Sequence, residues 1–392
     1  MLMNWKNLKF SVVVCLVLSA DMLYAQSVQP INVVTTAVPF LRISPDARAG
    51  GMGEVGIATA PDANSGFWNL SKTPFATDKS ALGITYTPWL KKLGLNDVFL
   101  ATIAGYTKID ELQAVSGSLR FFSLGNIQFT NERGEDLYAY KPREFAIDAG
   151  YSRKLSDKVG LGVALRYINS SLAKGDPTGS GTTYKAGSSV AADVSFFYTT
   201  PSETGEGWKF GGVLSNLGTK IGYTTDARQK DFIPSDLGLG AAYTKVFDEA
   251  NKMTFGVDLH KLLVPTPPGF SGSDSIDAVN LSNYRNKTVV SSWFSSFGDA
   301  PGGGSEELKE VQASIGAEYM YNDQFAVRAG YFYEDKTKGN RKYFSVGFGL
   351  KYNVFGLNFS YIVPSGSGIN QNPLSNTLRF GLIFNFNDEA AQ

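Results

Sequence analysis

Residues 376–387 read NTLRFGLIFNFN and alternate with a period of two. Leu378, Phe380, Leu382, Phe384 and Phe386 fall on one face, and Thr377, Arg379, Gly381, Ile383 and Asn385 on the other. Successive side chains of a strand point to opposite sides, so this is a strand with one apolar face. Working outward, about fourteen segments of this kind appear: 80–87, 97–107, 113–122, 144–154, 159–170, 189–199, 208–216, 236–246, 252–263, 309–321, 325–334, 343–353, 356–363 and 376–387. Most are close to the length that a tilted strand needs to cross a bilayer, about 9–11 residues.

The connections supply an independent test. If the first strand runs outward, the inner turns fall at 107–113, 154–159, 199–208, 246–252, 321–325 and 353–356. The outer loops then fall at 87–97, 122–144, 170–189, 216–236, 263–309, 334–343 and 363–376, longer than most of the turns. Short turns at one rim and long loops at the other mark single-chain outer-membrane barrels. A soluble sandwich has no reason to keep that parity. Charges within strands agree: Arg120, Asp148, Arg166, Asp193, Asp236, Asp258, Glu318, Arg328 and Arg379 all fall opposite the apolar face. A charge on the lipid side near the midplane costs about 2–4 kcal/mol, so these nine are expected to line the lumen. There, five acids and four bases are expected to satisfy one another rather than to conduct or bind substrate. The expected fold is all-β, a transmembrane antiparallel barrel over residues 79–387 with a short tail, 388–392. Both termini are expected to be periplasmic in a Gram-negative cell.

Composition supports this reading. Glycine reaches 42 of 392 residues and aromatics 13%, which suits closely packed strands with aromatic girdles at two membrane interfaces. A soluble sandwich or propeller shares that bias, so the loop parity decides. Thirty-six bases balance 36 acids, which removes the electrostatic case for nucleic acid as a partner. Residues 1–25 read as an export signal: Lys6 and Lys9, then an apolar core at 10–20. Cleavage is expected after Ala25, with Ala20 the alternative because Leu23 is bulky. The single cysteine, Cys15, lies inside this signal, without a lipidation context, so the mature chain has no thiol for disulfides, metal or catalysis. Past residue 25 no stretch of about 18 apolar residues occurs. A membrane protein without such helices has to close its sheet, because lipid satisfies no free backbone group.

Residues 26–78 do not alternate. Gly51, Gly53 and Gly56 match the G-x-G-x-x-G dinucleotide fingerprint, but no buried strand precedes them and no β/α alternation follows. The glycines are instead expected to let the backbone pack closely inside a barrel. The stretch SPDARAGGMGEVGIATAPDANSGFWNLSK, residues 44–72, resembles the N-terminal signature of the FadL-like outer-membrane superfamily. More narrowly it resembles the PorV family of the type IX secretion system of Bacteroidetes. In such sequences an Asp-Ala-Arg-x-Gly-Gly-Met-Gly element leads to Ala-x-Asp-Ala-Asn and an aromatic-Asn-Pro-Ala box. Here they correspond to residues 46–53, 60–64 and 68–71, with Leu70-Ser71 in place of Pro-Ala. The resemblance implies a fourteen-stranded barrel with residues 26–78 folded inside as a hatch, in which Gly50, Gly51, Gly53, Asp62, Asn64, Trp68 and Asn69 are the signature positions. It also implies a place beside an SprA-type translocon, binding the C-terminal domains of secreted proteins and passing them to a PorU-type sortase.

No enzyme chemistry and no cofactor is expected. One histidine, His260, and no mature cysteine make no usual zinc site. His260 is expected as a wetted lumen residue, and Glu306-Glu307 as solvated loop charges. Loop 264–308 opens rigidly at Pro265-Thr266-Pro267-Pro268-Gly269-Phe270 and closes at Pro301-Gly302-Gly303-Gly304. Between them, residues 289–297 (VVSSWFSSF) are dense in aromatics, so Phe270, Trp293, Phe294 and Phe297 are candidate partner-binding residues. The competing reading seats Trp293, Phe294 and Phe297 in the outer girdle or against the barrel mouth. For the whole chain the rival function is a FadL-like importer of hydrophobic small molecules, with Val55, Ile57, Phe67 and Trp68 lining its pocket. A purely structural barrel or general porin comes third.

Overall fold

A closed ring of strands surrounds the N-terminal segment. The computed structural model describes residues 31–387 except 92–93, 132, 177–180, 201, 203, 227–228, 364–373 and 375. The expected signal peptide and the tail at 388–392 lie outside the described residues. The ring consists of β1 (Ser80–Pro88), β2 (Val98–Lys108), β3 (Gln113–Leu124), β4 (Arg143–Lys154), β5 (Val159–Ser171), β6 (Gly187–Thr199), β7 (Gly207–Gly218), β8 (Asp236–Val246), β9 (Asn251–Leu262), β10 (Gln312–Tyr321), β11 (Phe325–Tyr333), β12 (Lys342–Tyr352), β13 (Phe355–Ile362) and β14 (Leu378–Phe386). Ring neighbours pair antiparallel, and β1 pairs with β14 from Ser80↔Phe386 to Tyr86↔Phe380, so no edge is left open. At one rim the strand ends are joined over residues 109–112, 155–158, 200–206, 247–250, 322–324 and 353–354. At the other they are joined over 89–97, 125–142, 172–186, 219–235, 263–311, 334–341 and 363–377.

The wall obeys the period-two pattern. On β5, Leu161, Val163, Leu165 and Tyr167 are exposed, while Gly160, Gly162, Ala164 and Arg166 are buried. Cross-strand rows such as Ile103, Ile84 and Leu382 carry the exposed apolar surface around the ring. Apolar residues outside and charges inside invert the order of a soluble protein and suit lipid. Aromatic pairs mark two bands. Tyr86–Phe99, Phe99–Phe121 and Tyr331–Phe344 lie toward the loop rim, and Tyr198–Phe210, Trp208–Tyr243 and Phe355–Phe384 toward the turn rim.

The described N-terminal segment enters the lumen from the loop rim. Asn32 donates its backbone N–H to Thr337 O (3.1 Å), and Ala37 donates to Phe232 O (2.9 Å), both acceptors lying in long loops. The chain leaves the lumen at the opposite rim, where Ser80 meets Phe386. The first described residues therefore lie at the loop rim, while β1 starts at the turn rim. Between the rims, Phe40 and Leu41 pack on Leu100, Phe122, Ala146 and Ile168. Helix α1 (Ala47–Gly51) lies on β11 to β14, α2 (Ser65–Trp68) touches β2 and β3, and the tight turns of Leu70–Phe75 lie on β4, β5 and β6. The hatch thus makes a circuit of the inner wall.

The longest loop is structured. It holds helices α3 (Asp274–Asn286), α4 (Val289–Ser295) and α5 (Gly304–Lys309). The strand expected from residue 309 begins at Gln312, because α5 and the turn after it aim Glu307 and Glu310 at buried lysines. Two other loops carry small hairpins, Ile127–Thr130 with Asp136–Tyr140 and Ile221–Gly222 with Lys230–Asp231.

Candidate functional site

The lumen is filled from the hatch outward. Asp46 caps α1 by accepting the Arg48 N–H (2.8 Å) and takes the Trp68 indole N–H on its other oxygen (3.1 Å). Arg48 then reaches the wall, donating to Glu318 on β10 at 2.8 and 3.0 Å, and to Asp62 at 3.3 Å. Glu318 also accepts from Arg328 on β11 (2.6 Å), whose Nη1 donates to Asn358 (2.9 Å). Arg379 on β14 meets Glu54 at 2.7 Å, an ion pair lying off the hydrogen-bond axis. Asp258 on β9 accepts the backbone N–H groups of Gly56 (2.7 Å) and Ile57 (2.9 Å). Buried Lys72 donates to Gly56 O (2.6 Å), and Asn69 donates to Phe196 O on β6 (3.0 Å). Each of these charges would be costly to bury alone, so the plug and the wall hold each other in place.

A second network stays within the wall. Arg120 pairs with Asp148 (3.2 Å), Arg166 bridges Asp148 and Asp193 (2.8 Å to the latter), and Asp193 accepts the Asn216 N–H (2.7 Å). Of the nine lumen charges, these four meet one another, as do Glu318 and Arg328. Arg379 pairs with Glu54 of the hatch, Asp258 is held by hatch N–H groups, and Asp236 is hydrogen-bonded to His260 Nδ1 (2.7 Å).

The hatch signature residues sit where close approach requires them. Gly53 has a φ of +69° and lies against the Tyr331 N–H, so a side chain there would be strained and blocked. Gly50 lies against Arg379, and Gly51 against Gly347. Asp62 accepts the Asn64 N–H (2.9 Å), and Asn64 itself is buried.

Above the plug lies a cavity of about 190 Å³, bounded by hatch, wall and loop residues that include Trp68, Trp89 and His260. Loop 263–311 is fastened beside it. Lys261 donates to Glu307 (2.9 Å) and Glu310 (2.7 Å), and Lys338 donates to Glu306 (2.6 Å) and Glu310 (3.0 Å). Glu306 and Glu307 are thus latch residues, and the expectation of solvated charges is corrected. Beyond the latch the loop presents apolar side chains to the outside. Phe270 is 99% exposed, Phe294 74% and Phe297 52%, whereas Trp293 is half-buried.

The family model for the type IX secretion system protein PorV matches residues 26–269, which covers the hatch and nine strands. The chain belongs to the PorV family. No individual curated protein matches it. Among solved structures, a TodX deltaS2S3 mutant monoaromatic hydrocarbon channel is 12% identical with a TM-score of 0.51, covering 87% of this chain and 98% of its own. The Ralstonia pickettii toluene transporter TbuX is 11% identical with a TM-score of 0.51, covering 88% and 98%. A Pseudomonas aeruginosa FadL homologue is 12% identical with a TM-score of 0.46, covering 91% and 99%. At such identity the likeness is one of fold. This PorV-family chain is an outer-membrane barrel of FadL-like architecture.

Sequence reasoning missed Arg48, Glu54 and Lys72, the hatch charges that fasten the plug. A signal was present: they are charged residues in a segment otherwise rich in small ones. Asn216 was also missed; it sits at φ +56° beside a register shift between β6 and β7 and accepts from Arg166. Among the described residues no group of three or more His, Cys, Asp or Glu is placed to hold a metal ion.

Proposed function

We propose that the protein is a non-enzymatic docking component of type IX secretion, which binds the C-terminal signal domain of secreted proteins at an SprA-type translocon and passes them to a PorU-type sortase. The observation that carries this reading is the tethered plug. Cargo has no path through a lumen crossed by the Arg48–Glu318, Glu54–Arg379 and Asp258–hatch contacts, so binding falls to the loop rim. There Phe270, Phe294 and Phe297 offer apolar surface on a latched loop. In this reading the long loops face outward and the end of β14 faces the periplasm. A second reading, import of a hydrophobic small molecule, draws on the aromatic lining of the lumen cavity.

The test is a strain carrying Phe270→Ser, Phe294→Ser and Phe297→Ser, beside a deletion strain, with mass spectrometry of surface and culture proteins. Loss of proteins that share a C-terminal domain is expected in both. Normal secretion in both, with impaired uptake of hydrophobic compounds in the deletion strain, would overturn the docking role in favour of import.

A further inference from the structure

Arg42 is a cation inside the barrel without a counterion of its own. It ends the tight turn Pro39–Arg42 and lines the 190 Å³ lumen cavity. Among the described residues it has no hydrogen-bond or ion-pair partner; only the charges of Arg341, Asp236 and Glu334 act on it from a distance. Both carboxylates are already engaged, Asp236 by His260 (2.7 Å) and Glu334 by Arg341 (2.8 and 2.9 Å) and Gln312 (2.7 Å). Protein encloses the Arg42 guanidinium, yet the residue keeps some accessible surface, because the space it faces is the cavity. Burial, then repulsion from Arg341, holds its pKa down to about 10, against the opposing pull of Asp236 and Glu334. A guanidinium carries five N–H donors in a planar fork that matches carboxylates and phosphates.

The neighbourhood completes a site. Arg341 lines the same cavity and stacks over Phe332, 5.3 Å from the ring centroid. Arg341 repels Arg42 and is itself held by Glu334 through Nε and Nη2, so Arg42 is the guanidinium at this cavity whose N–H donors stay uncommitted. Trp68, Trp89 and Phe332 give the cavity aromatic walls, and its volume suits a compact molecule rather than a long chain. We propose that this lumen cavity binds a compact oxyanion, a small organic carboxylate or a phosphate, at Arg42. The aromatic walls favour the organic carboxylate. The inference is independent of the docking role, since it concerns the purified barrel alone.

The test uses the full chain in detergent, with titration calorimetry and tryptophan fluorescence, because Trp68 and Trp89 flank the cavity. The probes are sodium benzoate and inorganic phosphate at constant ionic strength, with chloride as the background. Benzoate is expected to bind saturably and to change the fluorescence, with phosphate at least tenfold weaker. Arg42→Gln should weaken benzoate at least tenfold and Arg42→Lys less, while gel mobility of the unheated barrel confirms that both variants are folded. Phosphate binding as tightly as benzoate, with the same loss in Arg42→Gln, would keep the oxyanion site and assign it to the free ion. Saturable binding of neither probe, or equal binding by wild type and a folded Arg42→Gln, overturns the proposal.

Discussion

Replacing Glu318 by Gln keeps the shape of the side chain and removes one charge from the contact between plug and wall. Glu318 is 3% exposed and accepts three bonds, two from Arg48 and one from Arg328. After the change Arg48 keeps Asp62 (3.3 Å) and Ala60 O (3.0 Å), so its charge stays partly met. Arg328 keeps only the neutral Asn358 (2.9 Å), and its buried guanidinium loses its one carboxylate. Breaking a buried pair by removing one partner costs about 3–5 kcal/mol, and with Arg48 partly compensated the loss should stay within that range rather than double it. The measurement is denaturant unfolding in detergent followed by tryptophan fluorescence. Lys245→Ala serves as control, because Lys245 and Glu206 pair at the exposed rim and their loss should leave the midpoint unmoved. A cycle with Arg48→Met should then give a coupling energy well above zero, since the two residues touch. The reasoning is refuted if Glu318→Gln unfolds at the same midpoint as Lys245→Ala.

Other expectations concern packing, pH and the loop. A methyl on Gly330 would overlap the Met52 carbonyl carbon and the Gly53 nitrogen, backbone atoms that cannot rotate aside. Gly330→Ala should therefore cost at least the about 1–3 kcal/mol typical of overpacking, whereas Gly117→Ala, with only ordinary contact to Asp148 O at 3.5 Å, should be tolerated; thermal unfolding compares them. Burial alone would raise the Glu310 carboxyl, but hydrogen bonds from Lys261, Thr266 and Lys338 outweigh it and hold it below the ordinary 4.5. A carboxyl lowered by folding stabilises fully above its unfolded value and loses that contribution as pH falls through the folded one. Proteolysis of loop 263–311 should therefore speed up as pH drops below 4.5, and Lys338→Gln should mimic this at neutral pH. Phe270→Ser with Phe294→Ser should leave barrel unfolding within about 0.5 kcal/mol of wild type, since both rings are exposed, while reducing secretion.

The wall was legible because two solvents imprint it. Lipid on one side and a packed lumen on the other force alternation on every strand, so all fourteen segments were readable to within three residues at their ends. The same alternation puts the in-strand charges opposite the apolar face. Their partners were not legible, because Arg48 with Glu318 and Glu54 with Arg379 join residues far apart in the chain, and no local pattern records such a match. The long loop was least readable. Glu306, Glu307 and Glu310 look like solvated charges until the fold brings Lys261 and Lys338 to them. Trp293 and Phe294 are adjacent in sequence, yet one turns inward and the other outward on α4.

The seam between β1 and β14 joins Ser80 to Phe386, the two ends of the ring-forming chain. The segment before Ser80 passes through that ring, from Asn32 at one mouth to Ala76 near the other. Threading a finished ring would drag Phe40, Met52 and Trp68 past walls that leave them no room. The seam between first strand and last therefore encloses the plug, and the plug cannot leave sideways without unzipping it.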